Sequence, residues 1–583
     1  MTRKSVAFTI QAALLVVAAG ALGVALWDVA TGGFFFTFAG LRISSREAYK
    51  PWRIGMLAVV AAIAIRDWTT EPGKTTWARL PAWAPRIAAA AALGSLALGI
   101  TFGLDAAGGS DAYGYVSQAW LWASGRVAAP NPLAALEPAL GAAVAPIGYR
   151  LAPTPGAIVP IYPPGFPMTL AVALVIGGAG AIYYVVPALA ALAVWLTYRL
   201  GARVDRPATG MIAAILVATS PIFMFHSFEP MSDVPVTAWW LLSWLAALSA
   251  RDAGAILSGA AASLAIATRP NLVPLALVLA AAVALRPPRA RRVALFAVAT
   301  LPGCLLIASV NWRLYGSPLA PGYGPLETMF AWSHWKTNLP TYLGWLWQLN
   351  SPFVLLALAA PLITRTRDQI AMLAFCAVLL GCYVWYMPFA PWPFLRFLLP
   401  GIPLLLILSA TVFMRVADRL PLAFRTVAVL LLCTLLPLHY LLKADSLKIF
   451  ATRRSEHRYV AIGTYLGRTL PRDAVVLSMI QSGSLRLYGN QLTVRWDMLP
   501  ADKLDAAVAT LKGAGYRPYL LLEDWELPLF RDLFGKANRY GRIDWPPAFE
   551  YRDIGKVWIY EFADRERYFS GVNVAPRPVL PGS

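Results

Sequence analysis

The sequence predicts an α-helical polytopic membrane protein of about 13 transmembrane helices with a small C-terminal α/β domain. Three observations predict it. Apolar residues make up 58% of the 583 and charged residues only 14%, where a soluble domain carries roughly 25% charge. Apolar runs of near-spanning length recur from residue 6 to residue 442, and a helix needs about 20 such residues to cross the hydrocarbon. From about residue 443 the pattern changes to short β-branched runs alternating with helical ones, the signature of an α/β unit.

The spans fall at 6–27, 54–66, 87–103, 182–200, 209–226, 234–250, 254–268, 271–286, 291–310, 350–365, 369–387, 397–415 and 424–442. The first follows Arg3 and Lys4 and is longer than a signal-peptide core, so it reads as a retained helix. One more apolar stretch, 163–178, opens on Tyr162-Pro163-Pro164. Loop charge assigns it. If it does not span, one set of loops collects 19 basic residues, from Arg3 and Lys4 through Lys74 to Arg425. The other set then holds 10, among them Arg42, Arg46, Arg126, Arg150, Arg269 and Arg396. Basic loops stay cytoplasmic, and a spanning 163–178 would flip every later loop. The stretch is therefore expected to be a juxtamembrane or re-entrant helix on the outer face, which survives only against protein or a cavity.

The resulting divisions are two extra N-terminal helices (1–86), a membrane domain (87–442) with outer loops 104–181 and 311–349, and an extracytoplasmic domain (443–583). Strands are expected at 474–478, 492–494, 519–522 and 557–560, and helices near 504–512 and 527–534. The aromatic-rich loop 311–349 reads either as an interfacial belt or as a sugar- or lipid-binding wall. The formal charge of +20 sits largely in short loops, as topology requires, which argues against a nucleic-acid partner. Four scattered cysteines and four histidines give no disulfide framework or structural zinc pattern.

Two acidic clusters share the outer face in this topology: Asp111, in Ser110-Asp111-Ala112-Tyr113-Gly114-Tyr115, and Glu229 with Asp233 across Pro230. A carboxylate at a membrane end is costly and usually functional. Asp111 can serve as a general base toward an acceptor hydroxyl. Alternatively Asp111, Glu229 and Asp233 can hold a divalent cation against a phosphate. Each aspartate also stands where an N-cap would stand, Asp111 before 113–123 and Asp233 before 234 onward. His226 lies one turn before Pro230 and reads as an interfacial histidine or a site residue. Arg269 and Arg396 are outer-face cations that interrupt apolar helices; they read as phosphate forks or as snorkelling anchors.

This order of motifs resembles the GT-C class of membrane glycosyltransferases, closest to the protein O-mannosyltransferases and the aminoarabinose (lipid A-modifying) transferases. The matching residues are Asp111 with Tyr115 downstream, Tyr162-Pro163-Pro164, Ser232-Asp233-Val234-Pro235, Thr268-Arg269-Pro270 and Arg396-Phe397-Leu398-Leu399-Pro400, spanning about 87–415. The resemblance implies a polyprenyl-phosphate-linked sugar donor and inverting transfer to an acceptor hydroxyl of a glycan, lipid or protein in the cell envelope. It implies Asp111 as base or metal-positioning acid. Arg269 and Arg396 would hold the leaving phosphate, and Glu229 and Asp233 the acceptor or a cation. Tyr113, Tyr115 and Tyr162 would line the substrate site. The two N-terminal helices and the C-terminal domain lie outside the resemblance; the loop-charge topology, with thirteen spans and the N-terminus inside, makes this a multi-pass inner-membrane protein whose site and C-terminal domain are extracytoplasmic. One position departs: the families place a basic residue before Pro-Pro where this chain has Tyr162, so Arg150, Arg269 or Arg396 must supply that contact.

Two other classes compete. A transporter or flippase of a lipid-linked glycan predicts midplane charges and related halves, and the sequence shows neither. A non-catalytic assembly scaffold predicts indifference to the loss of the Asp111 carboxylate.

Overall fold

A computed structural model describes residues 3–38, 41–45, 47–71, 75–553 and 555–579; Arg46 and Lys74, which entered the loop-charge comparison, lie outside them. Helices occupy every expected span. Seven are long and apolar enough to cross a membrane, and nine if two sharply bent pairs each count as one span. The other expected spans are filled by shorter or less apolar helices. Helices Asp233–Ala247, Asp252–Thr268 and Pro274–Ala284 are too short by themselves, with 15, 17 and 11 residues. Pro207–Thr219 breaks by 62° before Pro221–Ser227, where Pro221 cannot donate the next helical hydrogen bond.

Gly165–Gly177 has 13 residues, about 20 Å at 1.5 Å per residue, against a hydrocarbon core of about 30 Å. It cannot cross alone. It packs on the Asp111–Ala123 helix and on Asp252–Thr268, burying Phe166, Leu170 and Leu174 against protein while Val172, Val175 and Ile176 stay exposed. Trp392–Ala417 is buried along nearly its whole length and carries Arg396 into the interior. The two N-terminal helices, Arg3–Thr31 and Tyr49–Thr69, pack against each other across the hairpin Phe34–Phe38 and Leu41–Ser45. Asp67 anchors the second by accepting from the Thr76 amide at 2.9 Å and the Thr426 hydroxyl at 3.4 Å.

The stretch 311–349 is less of a loop than expected, because Arg289–Tyr315 runs into it and Trp335–Asn350 is helical. Its aromatics divide. Trp312, Trp332 and Trp347 are exposed, as belt residues are, while Tyr342 is buried and Tyr323 reaches the Tyr162 ring at 5.6 Å.

The C-terminal part holds a six-stranded sheet, in spatial order Arg577–Val579, Phe549–Asp553, Gly555–Glu561, Arg517–Glu523, Ala474–Leu477, Leu492–Val494. The last three are mutually parallel and Gly555–Glu561 is antiparallel to both neighbours. Phe549–Asp553 and Arg577–Val579 escaped the sequence reading, the first because Glu550, Arg552 and Asp553 interrupt its apolar pattern. Helix Thr452–Thr469 joins this sheet to the membrane helices and leans on the loop before Asp111. A Cβ on Gly108 would lie 2.0 Å from the Tyr459 ring and 2.7 Å from a Glu456 carboxylate oxygen. The Ala107 amide donates to the Tyr488 hydroxyl at 2.7 Å.

Gly108→Ala should therefore overpack this seam and destabilise the protein by about 1–3 kcal/mol. Adding Tyr459→Ala should recover part of the loss in thermal unfolding, whereas Tyr459→Ala paired with a distant glycine change should not.

Candidate active site

Four separate stretches of chain bring two acids and two arginines together. Asp111 opens the helix Asp111–Ala123, yet no side chain caps that helix. Its carboxylate turns inward, accepting from the Tyr162 hydroxyl at 2.8 Å and from the Arg396 guanidinium at 2.7 Å. Asp233 likewise opens Asp233–Ala247 without capping it and accepts from Arg269 at 2.6 Å. The cap readings thus give way to ion pairing. The two pairs are linked: Tyr115 meets the Ser232 hydroxyl at 2.9 Å, and Ser232 also accepts from Arg269 Nε at 3.2 Å. Both guanidinium groups flank the Phe397 ring, at 5.4 Å for Arg396 and 5.8 Å for Arg269.

Helix geometry explains the assembly. Gly114 leaves room for Tyr162 to lie across the Asp111–Ala123 helix, since a Cβ there would sit 1.9 Å from the ring. Tyr162 is fixed further by the Tyr115 ring at 4.6 Å and by Gln118, which donates to its carbonyl at 3.1 Å. Pro163 and Pro164 then start the non-spanning helix, presenting Tyr162 at its mouth.

The two pairs differ in reserve. Arg269 is committed: its Nε, Nη1 and Nη2 donate to Ser232, Tyr383 and Asp233. Its partner Asp233 is wholly buried, with one carboxylate oxygen unpartnered. Arg396 gives one nitrogen to Asp111 and keeps a buried Nε without a partner. The Asp111 side chain is 28% exposed, so the Asp111–Arg396 pair borders accessible space and the Asp233–Arg269 pair does not. Neither arginine snorkels.

Two expected site residues are not brought in. Tyr113 points to the C-terminal domain, its ring against Gly483 and 6.0 Å from Tyr149, because it leaves the helix on another face than Asp111 and Tyr115. Glu229 faces His226 at 3.6 Å and lies within electrostatic reach of Glu456 in the C-terminal domain; Pro230 turns the chain between it and Asp233. His226 contacts the Pro393 carbonyl at 3.0 Å. Arg150 is exposed and stacks on Tyr315 at 5.5 Å. The sequence reading did not name Ser232 and Tyr383 as site residues. Ser232 adjoins Asp233 and could have been suspected; Tyr383 lies in an apolar helix with no local signal.

Asp111, Glu229 and Asp233, the expected cation-holding acids, are not gathered into one donor set. Among the described residues no three His, Cys, Asp or Glu side chains gather. Asp111 and Asp233 are each already neutralised by an arginine, and Glu229 lies apart.

Residues 162–312 match the family described as dolichyl-phosphate-mannose-protein mannosyltransferase. That stretch carries Tyr162, Asp233 and Arg269. No curated protein matches in sequence. Among solved structures, ArnT from Cupriavidus metallidurans bound to undecaprenyl phosphate is similar with a TM-score of 0.51 at 14% identity, over 81% of this chain and 96% of that one. The apo oligosaccharyltransferase of Archaeoglobus fulgidus is similar with a TM-score of 0.50 at 12% identity, over 82% and 74%. So is the archaeal oligosaccharyltransferase AglB from Archaeoglobus fulgidus in complex with an inhibitory peptide and a dolichol-phosphate, with the same values. The chain therefore shares its fold with these membrane proteins. Within this fold, the helices between Asp111 and Arg396 are the ones that assemble the paired charges.

The pairs predict a stability pattern. Removing one partner of the buried Asp233–Arg269 pair strands a charge and should cost about 3–5 kcal/mol. Asp233→Asn with Arg269→Met together should cost less than the sum of the two single changes, measured by denaturant unfolding in detergent. A pH dependence follows at the seam. Burial is the main cause raising the Glu456 carboxyl from 4.5 to about 7, opposed by Arg458 and aided by Glu229 and Glu523. The folded protein then holds a proton that the unfolded chain has released, so the contribution is full below 4.5 and is lost as pH rises through 7. Thermal midpoints should decline across that window, and Glu456→Gln should flatten the decline.

Proposed function

We propose that the protein transfers a sugar from a polyprenyl-phosphate-linked donor to an acceptor hydroxyl at the outer face of the membrane, with inversion. The observation that carries this reading is the half-open Asp111–Arg396 pair, set beside the closed Asp233–Arg269 pair. A phosphate arriving at Arg396 offers that guanidinium oxygens in place of the Asp111 carboxylate. Asp111 is then released, still held by the Tyr162 hydroxyl, to take the proton of an acceptor hydroxyl. The acceptor oxygen forms its bond to the anomeric carbon as the bond from that carbon to the phosphate oxygen breaks. The electron pair leaves with the polyprenyl phosphate, whose added negative charge Arg396 meets directly and Arg269 meets from the second layer. Preorganised charge of this kind, in a site screened from water, is usually the largest catalytic contribution.

Tyr115 and Tyr162 line the acid from below. The ring pair Phe389 and Phe394, 3.9 Å apart, stands beside Arg396 and offers an apolar wall to a prenyl carrier. The outer-face placement rests on the loop-charge asymmetry. With it goes an inner-membrane location and a C-terminal domain outside the cytoplasm. The sugar and the acceptor, whether glycan, lipid or protein, lie with residues beyond this charge cluster. A flippase would need charge near the membrane midplane, whereas these acids sit at helix ends.

Asp111→Asn should abolish transfer while leaving the protein expressed, because Asn keeps the Tyr162 contact. Arg396→Gln should lower turnover by at least about a hundredfold, the loss typical of one oxyanion-stabilising group. Mass-spectrometric comparison of cell-envelope glycans with and without each variant checks both; unchanged glycans in Asp111→Asn would overturn the assignment.

A further inference from the structure

A cavity of about 410 Å³ lies at the seam where the end of helix Thr76–Phe102 meets helix Thr452–Thr469. None of its lining residues belongs to the paired-charge cluster. Its rim carries Arg453, Arg454 and His457, and Phe102 and Phe450 form its floor with ring centres 5.1 Å apart. Arg453 and His457 are four residues apart and share a helix face.

The two arginines are only loosely engaged. Arg453 pairs with Asp105 at 2.6 Å and Arg454 with Asp553 at 2.8 Å, and both guanidinium side chains are substantially exposed. Ion pairs at such exposure contribute little, so either arginine can exchange its carboxylate for a phosphate at small cost. His457 makes no hydrogen bond or ion pair among the described residues. The same Thr76–Phe102 helix, whose end lines the cavity, exposes the apolar side chains Leu93 and Ile100 in the turns before it.

We propose that this cleft binds the phosphate headgroup of a membrane phospholipid, with its acyl chains along the Leu93 and Ile100 side of the helix. Two features select this occupant. The cations stand at the end of a spanning helix, where headgroup phosphates lie. The phenylalanine floor and the exposed Leu93 and Ile100 serve a hydrocarbon chain and offer nothing to a free anion. The assignment is independent of the transfer reaction.

Native mass spectrometry of the full chain in detergent, titrated with phosphatidylglycerol or phosphatidylcholine, tests it. The parent should bind phosphatidylglycerol in preference. Arg453→Gln with Arg454→Gln should weaken that binding roughly 30-fold, as expected for two charges at headgroup level. Asp553→Asn, which frees Arg454, should strengthen it, and this variant decides the matter if the double variant fails to fold. Equal binding of the two lipids, an unchanged affinity in the double variant, or full displacement by inorganic phosphate at matching concentration would each overturn the proposal.

Discussion

The Asp233–Arg269 ion pair is the constraint around which the membrane domain is arranged. A lone charge in an apolar interior is too costly to keep, whereas a pair with further hydrogen bonds is tolerated. Asp233 is fully buried and Arg269 nearly so. Each can therefore be there only because the other is, together with Ser232 and Tyr383. The pair joins the start of Asp233–Ala247 to the end of Asp252–Thr268. Through Ser232 and Tyr115 the constraint reaches the Asp111 helix, and through Phe397 it reaches the segment that bears Arg396. Buried pairs of this kind add little net stability but exclude other arrangements, because any shift that separates them strands a charge.

That rigidity gives the outer pair its freedom. If both arginines were saturated, an incoming phosphate would find no donor; if both were free, four charges would be unbalanced in the resting protein. The structure divides the tasks. Arg269 spends its donors on protein and Arg396 retains an unpartnered Nε. Two acids against two bases leave the resting cluster neutral, so each charge that arrives or develops on a substrate shifts an existing balance. Asp111 and Arg396 are the members able to respond, because their pair borders accessible space.

Much of this was legible in the chain and some was not, for definite reasons. Charge asymmetry between loops places Asp111, Asp233, Arg269 and Arg396 on one face without any knowledge of contacts, since topology is written in Lys and Arg. Who pairs with whom was not legible. Asp111 and Arg396 are 285 positions apart, and no local pattern couples them. Tyr113 and Tyr115 look equivalent beside Asp111, but two residues on a helix face away from each other, about 200° apart at 3.6 residues per turn, and only Tyr115 shares the site. Glu229 and Asp233 look like a helical i, i+4 pair until Pro230 breaks the turn between them. Apolar content marks a buried helix as readily as a lipid-facing one, so the division between short buried helices and full spans was not legible from composition.

The place of the C-terminal domain could not be read from its own residues, which name no ligand. It follows from the glycines of the membrane domain. Gly108 is where it is because Tyr459 and Glu456 press on the backbone there, and Gly114 because Tyr162 does so from the other side. The five residues between these glycines include Asp111, so the acid is held between the non-spanning helix and the first helix of the C-terminal domain. The Ala107–Tyr488 hydrogen bond and the Tyr113–Gly483 contact close the same grip. A domain that touches the chain four residues before the acid and two residues after it is coupled to the position of that carboxylate. Movement of the sheet against the membrane helices would move Asp111 relative to Arg396, and a difference of 1 Å in such a pair is enough to change which oxygen the guanidinium serves.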